Sequence, residues 1–224
     1  MKMMYVGEFL VGLVIASPAL LGAQQGHPAK STFTSPDGTF HFQYTYSLVS
    51  CRRDQIQADR WKPEESCEAY TPVCSDFGGN STSTIACIAY PARKMKGTNF
   101  QAAAFSVNEL KEPRDEVECL KMQGPPASVG KAHTEAVNGI RFTVTQTDGV
   151  AAGNLIEGQA YRSFHGDKCY ELDIRIAFSN AADYESAKKS FDIKAVRRDL
   201  KRTLGTFQFT QYVNEVLMSE AGRL

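Results

Sequence analysis

Large apolar residues alternate with polar ones along several stretches of this chain, and a period of two predicts β-strands. In the clearest stretch, residues 40–49, the large residues share one face: Phe40, Phe42, Tyr44, Tyr46 and Leu48. A turn is predicted before it at Ser35-Pro36-Asp37-Gly38, because proline fixes φ at the second position and Gly38 tolerates a positive φ. Further strands are predicted at 84–90 and 99–107.

Two hairpins are predicted in the second half of the chain. Asn138-Gly139 separates residues 131–137 from 140–147, and this dipeptide favours a two-residue type I′ turn. A longer hairpin is predicted over 155–178, with its turn at Gly166-Asp167. Tight hairpins require antiparallel pairing of their strands.

The second strand of the longer hairpin has two different faces. The apolar face carries Tyr170, Leu172, Ile174, Ile176 and Phe178. The other face carries Cys169, Glu171, Asp173 and Arg175. In this register Arg162 lies opposite Glu171, a cross-strand pair worth up to about 1 kcal/mol. Glu171 and Asp173 share this face, which is geometrically possible for the paired carboxylates of a glycosidase. Because Arg162 and Arg175 neutralise these acids, we interpret the charged face as solvated or covered by a helix.

Helices are predicted at 113–122, 181–190 and 192–204, and a short strand is predicted at 206–210. Asp192 is a suitable cap for the third helix, and Gly205 ends it. Together with the hairpins this predicts the α+β class, an antiparallel sheet of about seven strands with helices packed on it.

The N-terminal segment is typical of a secretory signal peptide, residues 1–23. Lys2 precedes the apolar stretch Phe9–Ala16, and Ala23 offers a cleavage site, with Ala19 as the alternative. A membrane anchor is the competing interpretation. A spanning helix needs about 20 apolar residues, and this stretch is shorter, so we expect cleavage and a secreted or periplasmic protein without an integral membrane span.

All six cysteines follow that segment: Cys51, Cys67, Cys74, Cys87, Cys119 and Cys169. An even number in an exported chain predicts disulfides, and the spacings contain no close pair that favours zinc. A hairpin turning near Asn80-Ser81 would bring Cys74 opposite Cys87. The preferred pairs are Cys74–Cys87, Cys51–Cys67 and Cys119–Cys169, and a nested alternative joins Cys51 to Cys87 and Cys67 to Cys74.

One domain is predicted over residues 33–210, after a flexible lead-in at 24–32 and before a tail at 211–224. Residues 51–83 are rich in charge and cysteine, and we interpret them as a disulfide-stapled insertion. The insertion holds Trp61, the single tryptophan. Aromatic residues beside charges are typical interface anchors, so Trp61 is the predicted partner surface.

The chain of 224 residues has 25 basic and 25 acidic side chains. Zero net charge gives no electrostatic reason to bind nucleic acid or an anionic membrane. The sequence has no Gly-x-Ser-x-Gly elbow and no glycine-rich loop ahead of a helix, so no catalytic, cofactor or metal site is predicted. One sharper hypothesis joins His165, Asp167 and Glu171 into a metal or acid–base site, although turn polarity and a cross-strand pair explain the same residues.

Two segments of the chain have a distinctive pattern: Ser35-Pro-Asp-Gly-Thr-Phe-His-Phe-Gln-Tyr44 and Leu204-Gly-Thr-Phe-Gln-Phe209. The first is similar to the opening strand, and the second to the closing strand, of the PsbP/Mog1-like α/β/α sandwich family. The resemblance covers residues 33–210. This chain departs from the family where the opening strand usually runs into Tyr-Pro, because Thr45 follows here. The resemblance implies a non-enzymatic binding or assembly factor, and it carries over no functional residue.

The leading hypothesis is therefore an exported, disulfide-bonded binding or assembly factor. The first alternative is a small secreted hydrolase or metal-dependent enzyme that uses His165 and its acidic neighbours. The second is a carrier of a small apolar ligand. A carrier predicts a closed cavity lined by Phe42, Tyr44, Tyr170 or Leu172.

Overall fold

The computed structural model describes residues 29–51, 71–74, 82–121, 131–151, 154–180 and 189–210. Eleven strands lie in these ranges. They are β1 (Lys30–Thr34), β2 (Phe40–Thr45), β3 (Val49–Cys51), β4 (Thr82–Ala89), β5 (Phe100–Leu110), β6 (His133–Val137), β7 (Ile140–Gln146), β8 (Gly149–Ala151), β9 (Asn154–His165), β10 (Lys168–Ser179) and β11 (Gln208–Phe209). The described helices are α1 (Thr71–Cys74), α2 (Glu116–Lys121), α3 (Ile193–Leu204) and a 3-10 helix, Ala92–Met95.

The strands form two sheets. The smaller has the order β1-β2-β11, and the larger has the order β3-β4-β5-β10-β9-β7-β6, with β8 also paired to β9. Every pairing between two of these described strands is antiparallel. The protein therefore belongs to the α+β class, as predicted, with packing dominated by its sheets.

Both predicted hairpins are confirmed. Asn138 and Gly139 have φ values of 50° and 81° between β6 and β7, as a type I′ turn requires. In the β9–β10 hairpin the turn residues Gly166 and Asp167 have φ values of 57° and 60°. The same register places Arg162 opposite Glu171, so the cross-strand pair was predicted correctly.

The single strand predicted over residues 40–49 is wrong. The chain turns after Thr45, where the backbone N–H of Leu48 donates to the Thr45 carbonyl (3.0 Å). Strand β2 consequently belongs to the smaller sheet and β3 to the larger one. The turn also removes Tyr46 from the apolar face and leaves it 68% exposed. Strand β1 was not predicted, because Phe33 is its only large apolar residue and a single one shows no alternation.

Helix α3 is amphipathic and begins where the sequence predicts. The Asp192 carboxylate accepts a hydrogen bond from the N–H of Ala195 (3.0 Å), which satisfies one of the free donors of the first turn. Helix α2 begins later than predicted, because Asp115 accepts from the N–H of Glu118 (2.8 Å) and caps it there. The predicted helix at 181–190 lies largely outside the described residues.

The main core lies between one face of the larger sheet and a layer formed by the smaller sheet and α3. Phe42 from β2 meets the edge of Phe105 from β5, with ring centroids 5.2 Å apart. Phe40 contacts Tyr170 of β10 in the same way, at 6.0 Å. Helix α3 contributes Val196 and Leu200, both fully buried. Each fully buried side chain of this size contributes about 1.5–3 kcal/mol.

The opposite face of the larger sheet carries both described disulfides. Cys74 in α1 is bonded to Cys87 in β4, and Cys119 in α2 is bonded to Cys169 in β10. These are two of the preferred pairs, and they exclude the nested alternative. The hairpin argument for Cys74 was wrong, because Cys74 lies in a short helix packed on the sheet. Cys51 is also disulfide-bonded, and its expected partner, Cys67, lies outside the described residues.

Several other predictions also fall outside the described residues: the signal segment 1–23, Trp61, most of the 51–83 insertion and the tail 211–224. Within the part of the chain that the structure describes, none of the helices is both long enough and apolar enough to span a membrane.

Candidate functional site

An open cleft of about 710 Å³ lies where the β9–β10 hairpin, the β6–β7 turn and strand β11 meet. Its described lining residues are His41, Asn138, Gly139, Ile140, Ser163, Phe164, His165, Gln208, Phe209 and Thr210. They come from both sheets, so the cleft exists only because the two sheets pack together. Its size lies in the range of natural ligand and side-chain pockets.

An aromatic wall forms one side of this cleft. The His165 imidazole stacks on the Phe209 ring, with centroids 4.1 Å apart and an angle of 10° between the planes. Phe209 in turn packs against Phe207 and Tyr170 at 5.1 and 5.2 Å. The core therefore fixes the ring of Phe209, and the stack fixes the imidazole. The cleft presents flat, preorganised surfaces next to hydrogen-bonding groups.

The β6–β7 turn is tied to the opposite wall. The side-chain amide of Asn138 donates to the carbonyl oxygen of Phe207 (3.0 Å), immediately before β11. Asn138 was predicted only as a turn residue. Its positive φ satisfies the turn, and the same conformation directs its side chain across to the other sheet. This bond holds the two walls of the cleft in a fixed relation.

The predicted cluster of His165, Asp167 and Glu171 does not form. His165 points to the side of the sheet that carries Phe209, whereas Glu171 lies on the opposite face and is 4% exposed. Asp167 lies in the exposed turn. Among the described residues, no group of three His, Cys, Asp or Glu side chains is placed to hold a metal.

Glu171 belongs instead to a buried ionic cluster on the other face, which consists of Arg162, Glu171, Asp173, Arg175 and Asn108. The guanidinium of Arg162 donates to Glu171 (Nε to Oε2, 2.6 Å), and that of Arg175 donates to Asp173 (Nη2 to Oδ2, 3.0 Å). The Asn108 amide donates to the same Asp173 oxygen (2.9 Å). The predicted charge neutralisation is therefore present, but the face is buried and not solvated.

Asp173 is the deepest member of the ionic cluster, with no exposed surface. Burial raises the pKa of its carboxyl group to about 8, the nearby Glu171 charge adds to this rise, and Arg175 opposes it. The second carboxyl oxygen of Asp173 has no hydrogen-bond partner. A carboxyl group with a raised pKa is a common feature of catalytic sites, but Asp173 is not among the described residues that line the cleft. We therefore assign this cluster a structural role.

A second cluster of charged side chains lies near the β9–β10 turn. The Lys168 ammonium contacts Asp37 (3.4 Å) and Glu109 (3.3 Å) and so links the smaller sheet to the larger one. Partial burial opposes ionisation of Asp37, but hydrogen bonds from Thr39 and Ser35 outweigh it and hold the pKa of Asp37 well below its usual range. The predicted Pro36-Asp37 turn thus also supplies an ion-pair partner.

The residues predicted to line a carrier's cavity belong mostly to the core. Phe42, Tyr170 and Leu172 are fully buried, and they pack against neighbouring core side chains. Tyr44 is partly buried and packs on the same cluster. The open cleft lies at the edge of this core, and the sequence analysis missed it because His41, Asn138 and Phe209 come from three distant segments.

No family model matches this chain, and no curated protein matches it. Three solved structures are similar at TM-scores of 0.40–0.43. A Bacteroides thetaiotaomicron protein shares 9% identity over 85% of this chain, which spans only 57% of that protein, at a TM-score of 0.43. The PsbP protein CyanoP of Synechocystis shares 7% identity over 87% of this chain and 100% of its own, also at 0.43. LpqN of Mycobacterium tuberculosis, described as involved in cell envelope biogenesis, shares 8% identity over 82% of this chain and 91% of its own length, at a TM-score of 0.40.

One of these structures is a PsbP protein, the family that the opening and closing strands resemble. All three TM-scores lie below 0.5, so none of them decides the family or the function of this chain.

Proposed function

We propose that this chain is an exported, secreted or periplasmic protein that acts by binding a protein partner and catalyses no reaction. The observation that carries the binding role is the cleft beside β11, with its stacked His165–Phe209 wall and with Asn138 and Ile140 of the β6–β7 hairpin on the other side. Flat aromatic surfaces flanked by hydrogen-bonding groups are typical of interface anchors and their pockets. The partner would place an aromatic or apolar side chain there.

The proposal of export depends on the cysteines. Cys51, Cys74, Cys87, Cys119 and Cys169 are all disulfide-bonded, and all five side chains are buried. Structural disulfides persist in oxidising compartments and are rare in the cytosol. Residues 1–23 then serve as a cleaved signal, and the folded domain, predicted over residues 33–210, already includes Lys30 at the start of β1.

The chemistry of the cleft favours recognition over catalysis. Its described lining has two hydroxyl groups that could act as nucleophiles, those of Thr210 and of Ser163, and Ser163 is only 6% exposed. Nucleophilic catalysis needs a base within hydrogen-bond reach of the nucleophile and a third group that orients the base. His165 is held instead by its stack on Phe209, which orients it as a binding surface.

The test is a comparison of matched variants in partner capture. Immobilised wild-type protein is exposed to an envelope extract from cells that make it, in parallel with His165→Ala and Tyr46→Ala. His165 lines the cleft, whereas Tyr46 is an exposed aromatic residue outside the described lining. We expect a protein that wild type and Tyr46→Ala capture equally and that His165→Ala retains at least about tenfold less well, since pocket residues dominate binding energy. Equal capture by all three proteins would contradict the assignment of the cleft.

Trp61 is proposed as a second contact with the same partner. It lies in the 51–83 insertion, outside the described residues, and the proposal rests on its residue type and charged neighbours. Once the partner is purified, Trp61→Ala should weaken its affinity by about 2 kcal/mol or more if Trp61 is a hot spot. An unchanged dissociation constant in calorimetry would remove Trp61 from the interface and leave the cleft assignment intact.

A further inference from the structure

Helix α3 carries a cluster of positive charges on its outer face, although the net charge of the whole chain is zero. We define this basic face as Lys194, Arg197, Arg198, Lys201 and Arg202, which line one shallow groove of about 450 Å³. At 3.6 residues per turn the five side chains occupy an arc of about 140°. The opposite arc carries Val196, Leu200 and Leu204, which are buried in the core. The helix is therefore anchored by one face and presents five cations on the other, with Asp199 beside Arg202 at its edge.

Among the described residues, acids partly neutralise two of the five cations. Arg197 contacts Glu157 (Nη2 to Oε2, 2.5 Å), and Arg202 contacts Asp199 (2.8 Å). Lys194, Arg198 and Lys201 are exposed and form no ion pair with any described residue. A like-charged set without counter-charges repels itself and costs folding free energy. Binding of an external anion would reduce this repulsion.

Three further exposed lysines lie outside α3: Lys94, Lys96 and Lys189. The Lys189 carbonyl accepts from the N–H of Asn99 (3.0 Å), which places it beside the loop after the 3-10 helix. The Lys94 ammonium lies over the Tyr90 ring, 5.4 Å from its centroid. The basic face itself is formed by α3 alone.

We infer that the basic face of α3 binds the phosphate groups of an anionic lipid surface. Long lysine and arginine side chains spread along one side of a straight helix reach a common plane, as a flat layer of headgroups requires. The patch has no aromatic ring on which a nucleic-acid base would stack. The exposed large apolar side chains of the described residues, Tyr46, Val117 and Val150, lie on other elements. Attachment would therefore be electrostatic, reversible and sensitive to salt. This inference does not depend on the proposed function.

The test measures co-sedimentation of the full chain with two kinds of vesicle. One kind is phosphatidylcholine alone, and the other contains about one-third phosphatidylglycerol, which supplies the negative surface potential. The apolar N-terminal segment would bind both kinds equally, so the readout is the difference between them. We expect binding to rise on the anionic vesicles and to return to the neutral level at about 0.5 M salt, where screening is strong.

Matched variants assign the binding to the basic face. Arg198→Gln with Lys201→Gln should reduce partitioning to anionic vesicles about 30-fold, and the corresponding glutamate pair should reduce it further. Lys111→Gln with Lys131→Gln removes the same charge from exposed positions elsewhere and should bind as wild type does. Circular dichroism melting checks that each variant is folded. Equal binding to both kinds of vesicle, or equal losses in both variant pairs, would overturn the inference, as would salt-sensitive binding to soluble polyphosphate without binding to anionic vesicles.

Discussion

Gly158 shows how closely single residues are specified in the larger sheet. It lies in β9, and a Cβ atom built on it would come within 2.5 Å of the Thr147 hydroxyl and 2.8 Å of the Ile174 carbonyl oxygen. The N–H of Thr147 also donates to the Gly158 carbonyl (2.9 Å), which keeps the two segments together. A glycine in a strand often marks such a close approach.

Gly158→Ala should therefore destabilise the protein by about 1–3 kcal/mol, because neither neighbour is the end of a flexible side chain. The measurement is the free energy of unfolding in urea. Gly149→Ala, in the adjacent strand β8, is the control, since its Cβ would meet nothing within 4 Å, and it should change stability by less than about 0.5 kcal/mol. Equal effects of the two substitutions would contradict the packing argument.

Asp173 is the residue at which the structure predicts a pH dependence of stability. Its pKa in the folded state, about 8, lies above the ordinary value of 3.8. Between these values the folded protein holds a proton that the unfolded chain has released. The stabilisation is thus complete below about pH 4 and is lost as the pH rises through about 8, with a slope of at most about 1.4 kcal/mol per pH unit.

Asp173→Asn should flatten that part of the stability profile, because an amide does not titrate. The profile is obtained from urea unfolding at successive pH values between 4 and 8, a range set by the two pKa values. Asp167→Asn in the exposed turn is the control and should keep the wild-type slope. A slope that is the same in wild type and Asp173→Asn would mean that Asp173 is already ionised in the fold.

Among the elements, the β6–β7 turn has a double role, since it reverses the chain and also braces the cleft. Gly139 has a φ of 81°, and a residue with a Cβ is strained there by about 1–2 kcal/mol. Gly139→Ala should lower the free energy of unfolding by about that amount. Gly139→Asn should lower it less, because asparagine tolerates this conformation better. The two variants compared by thermal melting test this reason, and equal losses would contradict it.

The two described disulfides tie short helices to the same face of the sheet, but over loops of different length. Cys119 and Cys169 are 50 positions apart, whereas Cys74 and Cys87 are 13 apart. In the chain-entropy model, replacing the first pair with alanines costs about 4 kcal/mol and replacing the second costs about 3 kcal/mol. Urea unfolding of the two double variants should show this order. The reverse order would mean that the packing around each bridge outweighs the entropy of the closed loop.

Over the whole molecule, local patterns predicted the hairpins and did not predict their assembly. The Asn138-Gly139 and Gly166-Asp167 turns follow from the positive φ values that these residues tolerate, and the Arg162–Glu171 register follows from the second turn. The order of the strands in each sheet depends on contacts between distant segments, and the alternation of residues within one segment does not predict such contacts. For that reason the division of residues 40–51 between two sheets was missed.

The candidate cleft was missed for the same physical reason. It forms where β11 of the smaller sheet comes beside β9 of the larger one. Its stacked residues His165 and Phe209 are separated in sequence by the whole of β10 and α3. The charged face of β10 was predicted to be solvated or covered by a helix, with its acids paired to arginines. The pairing is confirmed, and only the solvated alternative is wrong, because these side chains are buried.

The account as a whole depends on an exported protein whose cysteines are oxidised, and the direct measurement is the mass of the protein isolated from the cells that make it, after treatment with an alkylating agent. We predict no alkylation of the unfolded protein before reduction and modification of all six cysteines after it. Alkylation of all six without reduction would show that the chain stays in a reducing compartment and would contradict the account.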